Sequence, residues 1–173
     1  MKTKLIAFAL LAGSSFAGVV SAADGTVNFT GNIMGAACTV SPTSATQTVA
    51  LGTVSSSSLP SVGSTAAPTK FDIVLDSCPA AATKATIKFD GPSDSKNSSL
   101  LALTTGAGVA TGVGIGLYES DSSTQIPVGS VSASKNLSST AATTFTYYAK
   151  YMATGTVVAG SANAVSNFTV NYN

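Results

Sequence analysis

The chain has 173 residues, with eight Lys and Arg, seven Asp and Glu, no His and two Cys. A formal net charge of +1 leaves no electrostatic footprint for nucleic acid or an anionic membrane. Without His there is no Ser-His-Asp or Cys-His arrangement, and two lone thiols do not complete a tetrahedral zinc site.

In chain order, residues 1–22 read as a signal peptide. Lys2 and Lys4 form a positive n-region, and Leu5 to Leu11 is an apolar core too short to span a bilayer. Val20-Ser21-Ala22 suits cleavage after Ala22, with Ala23 as the alternative. Removal leaves six lysines against seven acids, a net charge of about −1. The remaining ~150 residues are enough for one domain with a real core. No later segment is long and apolar enough for a transmembrane helix, so direct membrane insertion is not expected.

Residues 24–31 alternate, with Gly25, Val27, Phe29 and Gly31 on one side and Thr26, Asn28 and Thr30 on the other. Period two predicts a half-buried strand. It reads either as the first strand of the chain's own sheet or as an arm that pairs with another molecule's sheet. A core can be assembled from Ile33 onward, and Ile33 to Val40 leads into Cys38. A short strand is expected over Thr48 to Val54, carrying Val49 and Leu51, followed by a Ser- and Pro-rich loop from Ser55 to Thr69. Lys70 to Asp76 predicts a strand with Phe71, Ile73 and Leu75 inward, and Ala85 to Asp90 another with Ala85, Ile87 and Phe89 inward. Gly91-Pro92 stops it.

Val113, Ile115 and Leu117 form an inward face with glycines opposite. Ile126 to Val131 carries Pro127 and belongs at an edge or bulge. Thr144 to Ala153 is the strongest strand, with Phe145, Tyr147, Ala149 and Tyr151 on one face. Gly155 to Ala162 turns the chain, and from Asn167 alternation resumes with Phe168, Val170 and Tyr172 on one face. That greasy face needs a neighbour, supplied by an earlier strand or by another molecule. Short strands at this spacing mean an all-β sandwich or barrel.

Cys38 and Cys78 in an exported chain default to one disulfide. Closing a loop of about 40 residues is worth roughly 4 kcal/mol by the chain-entropy argument. Asp90 and Asp94 flank Gly91-Pro92-Ser93 and offer carboxylates to a Ca²⁺, but carboxylates in such loops mostly just solvate. No catalytic residue, metal site or cofactor is expected. The sequons at Asn28, Asn97, Asn136 and Asn167 read as chance matches in an Asn/Ser/Thr-rich chain.

The chain resembles the major structural subunits of chaperone–usher, type 1-like fimbriae of Gram-negative bacteria. The resemblance rests on Gly160 fourteenth from the C-terminus and a penultimate Tyr172. It rests also on Tyr151-Met-Ala-Thr-Gly155 before Gly160-Ser-Ala-Asn-Ala164, on Gly25-Thr-Val-Asn-Phe-Thr-Gly31 before Ala36-Ala-Cys38, and on Leu51-Gly52. It implies an immunoglobulin-like sandwich lacking its last strand, residues 32–173, preceded by a donor-strand arm, residues 23–31. Gly25, Val27, Phe29 and Gly31 of the arm would enter a neighbour's groove. Gly160, Phe168, Val170 and Tyr172 would face the groove or the chaperone that covers it. The implied partners are identical or related pilus subunits, a periplasmic chaperone and an outer-membrane usher. The implied route runs through the periplasm to a cell-surface fimbrium with a role in adhesion. The arm has only one or two residues before Gly25, shorter than the family's pattern. Two rivals are a minor adaptor or terminator subunit of the same organelle, and a self-contained secreted Ig-like binding domain.

Overall fold

A computed structural model of the chain describes residues 24–31, 33 and 35–172. The signal segment expected over residues 1–22 lies outside the described residues. Two compact units are distinguished, Met1–Ile33 and Met34–Asn173. Among the described residues no helix is long and apolar enough to cross a membrane.

The second unit is a sandwich of two antiparallel sheets. Eight strands follow in chain order: β1 Thr39–Val40, β2 Thr65–Asp76, β3 Lys84–Asp90, β4 Thr111–Tyr118, β5 Gln125–Ile126, β6 Lys135–Asn136, β7 Thr143–Val158 and β8 Asn167–Tyr172. A helical turn, α1, spans Pro42–Ala45, and a 3-10 turn spans Ser56–Ser58. The larger sheet runs β1-β2-β7-β4-β5 and the smaller β6-β3-β8. Alternation decides which side chains meet between them. Ile73 and Leu75 of β2, Ala85, Ile87 and Phe89 of β3, Val113, Ile115 and Leu117 of β4, and Phe145, Tyr147, Ala149 and Tyr151 of β7 are all buried. Phe71, Phe89 and Tyr147 stack at 5.1–6.0 Å between ring centres and join the sheets. The Tyr147 hydroxyl donates to Ser132 Oγ at 3.0 Å, and Ser132 Oγ accepts the Ile87 N–H at 2.9 Å, so the buried phenol is satisfied.

Several elements differ from the sequence expectation. Ile33 does not open the core: it is fully exposed, and Cys38 is the first buried one among the described residues. The strand expected from Ile33 is confined to Thr39–Val40, the only part paired with β2, at Leu75 and Asp76. β2 begins at Thr65 rather than after Thr69. Pro68, which has no N–H for a ladder, sits where the β2–β7 register shifts between Ala66 and Thr69. β7 runs on to Val158 because Thr111 still pairs there, past a register shift at Gly112. Gly112 has φ +71°, and a Cβ there would lie 2.2 Å from the Thr156 carbonyl oxygen, so the continuation needs glycine. β5 ends at Ile126, before Pro127, and is an edge strand.

Thr48 to Val54 is not a strand. Val49 and Leu51 pack against the core in alternation as expected, and Val54 packs against it one residue out of step. A strand also requires a neighbour's hydrogen bonds, and this segment has no ladder partner among the described residues. Asp90 and Asp94 each have partners of their own. Asp90 pairs with Lys88 at 2.8 Å, and Asp94 accepts the N–H groups of Lys96 and Asn97 in its own turn.

Candidate functional site: an open groove beside the last strand

β8 pairs with β3 along its whole length, from Asn167 opposite Asp90 to Tyr172 opposite Ala85. Its other edge has no strand partner among the described residues. A row of unpaired N–H and C=O groups is thereby left available to a further strand.

A groove of about 760 Å³ lies beside the start of that edge, at Asn167 and Phe168. One wall is the unpaired segment from Ser44 to Gly52, the other the segment from Ala162 to Phe168. The floor is the sandwich core, including Phe71, Ile73, Phe89, Ile115 and Leu117. A smaller hollow of about 300 Å³ shares Gly52, Tyr151, Ala162 and Asn163 with it and continues past Leu59 to Gly160. Burial raises the pKa of the Tyr151 phenol in this shared stretch. The lining is almost uncharged, since its only polar side chains are hydroxyls and amides. Such a lining accepts apolar side chains and penalises ions.

The second wall is held in place by backbone. Ala110 N–H donates to Ser161 O at 2.9 Å, Ser161 N–H to Gly108 O at 2.8 Å, and Thr104 N–H to Asn163 O at 2.7 Å. Gly160 makes this close approach feasible, because a Cβ there would lie 2.4 Å from the Ala110 nitrogen. The first wall is tied to β2 by Ser44, whose Oγ accepts the Val74 N–H at 3.0 Å. At the head of the domain Cys38 and Cys78 form a disulfide.

The sequence-selected residues divide as follows. Phe168 lines the groove and Gly160 the smaller hollow. Val170 and Tyr172 share the face of Phe168 and pack on the core but line neither. The Tyr172 hydroxyl instead accepts the Cys38 N–H at 3.1 Å. In the first unit, residues 24–31 form no strand, and Val27 and Phe29 are 75% and 92% exposed. A Cβ on Gly25 or Gly31 would meet nothing within 4 Å. Sequence reasoning missed the first wall's role, although Val49 and Leu51 had been singled out as a strand. An alternating segment that finds no partner was the available signal.

The fimbrial protein family matches residues 27–173. The chain belongs to that family. The fimbrial subunit is 36% identical to the type-1 fimbrial protein A chain of Salmonella typhi, over 99% of this chain and 100% of that one. It is 38% identical to the probable major fimbrial subunit LpfA of Escherichia coli O157:H7, over 98% and 97%. Among solved structures, the P pilus rod subunit PapA superposes with a TM-score of 0.67 at 26% identity, covering 80% of this chain and all of that one. A type I fimbria protein and antigen of Burkholderia pseudomallei gives 0.61 at 36% identity, covering 86% and 97%. The fimbrial subunit is therefore a pilin of the chaperone–usher class with an immunoglobulin-like sandwich, and its relatives are structural subunits.

Proposed function

We propose that this pilin polymerises by donor-strand exchange into an adhesive surface pilus. Residues 1–22 direct export, 23–31 are the donor arm and 32–173 the receiving domain. In the periplasm a chaperone lends a strand to the groove beside β8. At the outer-membrane usher the arm of the next subunit replaces it, with Gly25, Val27, Phe29 and Gly31 turned into the groove.

The observation that carries this reading is a pair of unmet needs in one chain. A near-uncharged groove meets the unpaired edge of β8 at Asn167 and Phe168, and an alternating segment exposes Val27 and Phe29. Burying those two side chains contributes roughly 1.5–3 kcal/mol each. Each ladder hydrogen bond adds a net of about 1 kcal/mol. Glycine at positions 25 and 31 lets the arm's backbone lie close to the groove floor.

The test is deletion of residues 24–31 with paired measurement of soluble periplasmic subunit and surface filament. The expected outcome is a folded, disulfide-bonded, chaperone-bound subunit that does not join filaments. Loss of the folded subunit together with the filament would make the arm part of its own domain's sheet and overturn the proposal.

A further inference from the structure

We propose that the Tyr172 hydroxyl is a register stop, closing one end of the groove and limiting how far a strand inserted beside β8 can advance. This rests on the reading that the groove takes a neighbour's arm. The groove is open between Ser44–Gly52 and Ala162–Phe168, and it ends short of Val170 and Tyr172, although these continue the face of Phe168. The closure is one hydrogen bond across 134 positions, from the Cys38 N–H to the Tyr172 hydroxyl at 3.1 Å. Both ends of that bond are anchored. Cys38 is buried, bonded to Cys78, and adjoins β1, which pairs with β2 of the larger sheet. Tyr172 pairs with Ala85 of the smaller sheet and packs on the core.

An alternating strand that keeps its apolar face inward can shift only in steps of two residues, or roughly 6.6–6.8 Å. One step too far toward Tyr172 brings an apolar side chain against the joined Cys38 backbone and Tyr172 ring. Phe168 and Val170 cannot make this closure, since neither has a polar atom at its tip. The Tyr172 hydroxyl is thus a positioning group for the inserted strand.

Cross-linking of the full-length subunit in assembled filaments reads the register directly. Asn28 lies on the arm face opposite Phe29, and Asn167, Thr169 and Asn171 lie on the β8 face opposite Phe168. Asn28→Cys is combined in turn with Asn167→Cys, Thr169→Cys or Asn171→Cys. With Tyr172 intact, one pairing should dominate, at position 167 or 169. Adding Tyr172→Phe should raise the share of the pairing at position 171, the one that sets Val27 or Phe29 level with Tyr172, about fivefold, the factor for one neutral hydrogen bond.

An unchanged distribution in Tyr172→Phe would overturn the stop and leave the arm-in-groove reading intact. So would dominance of position 171 with Tyr172 present, since Val27 or Phe29 would then sit level with Tyr172. Absence of cross-links at all three positions in assembled filaments would overturn the arm-in-groove reading itself. If Tyr172→Phe does not accumulate, amide exchange at Cys38 in the unaltered subunit decides. The stop requires that N–H to stay protected after assembly, and loss of protection on assembly would overturn it.

Discussion

Two stretches of this chain carry nearly the same pattern and have opposite fates. Residues 24–31 and β8 both alternate small or apolar residues with Asn and Thr, and both place a Phe on the apolar side. In β8, Phe168 is half-buried against the core and opposite Phe89 of β3. In the arm, Phe29 is 92% exposed and no ladder forms. Alternation therefore states which face of a strand wants burial, while pairing depends on what stands beside it. β8 itself is an intermediate case, since one edge is met and the other faces the groove. The wall from Ser44 to Gly52 is a third, with Val49 and Leu51 packed on the core and its backbone without a ladder among the described residues.

The comparison is broken most strongly at Phe29. Phe29→Asp should leave the folded subunit unchanged, because the side chain is 92% exposed. It should remove filaments, because a carboxylate in an apolar groove costs several kcal/mol even after relaxation. Soluble subunit and surface filament measured side by side check this, and unfolding of the subunit would refute it.

Cys38→Ser reverses the pattern and strikes the domain. The lost cross-link should lower its stability by about 4 kcal/mol, seen as less soluble subunit and a lower urea midpoint. An unaltered midpoint would contradict the role assigned to the bond.

A pair of glycine substitutions sharpens the contrast at one methyl group. Gly160→Ala drives a Cβ to 2.4 Å from the Ala110 nitrogen, and overpacking of this kind costs about 1–3 kcal/mol. Gly31→Ala has open space around it and should not change the subunit's urea midpoint.

A smaller effect separates core from surface by pH. Burial raises the Tyr147 phenol well above the usual tyrosine value, with the charge of Glu119 adding to the rise and the Ser132 hydrogen bond opposing it. The unfolded phenol ionises near pH 10 and the folded one later, so the unfolded state binds fewer protons above pH 10. Stability should be flat through neutral pH and fall as pH rises past about 10. Tyr147→Phe should flatten part of that slope. Burial raises Tyr118 and Tyr151 as well, so some slope remains. Smallest of all is Thr30→Asp, whose side chain lies on the opposite face from Phe29. It should leave both subunit and filament near their normal levels.

Much of this protein was decided by local pattern. The inward faces of β2, β3, β4, β7 and β8 follow from period-two alternation, because a pleated strand buries every second residue wherever it packs. Pro127 marked an edge because it cannot donate to a ladder. The pairing of two cysteines followed from their number in an exported chain. Only tertiary structure decided what lies beside each strand. It showed that Thr48 to Val54 packs like a strand without pairing as one, that β2 and β7 run past their predicted ends through shifts at Pro68 and Gly112, and that Tyr172 reaches Cys38 across 134 positions. Hydrogen-bond partners in a sheet come from distant parts of the chain, and no local period encodes them. For the same reason alternation gave the apolar faces of arm and β8 alike and did not say which edge is left open; the family resemblance implied an open groove at the last strand, and the fold shows β8 paired on one edge only among the described residues.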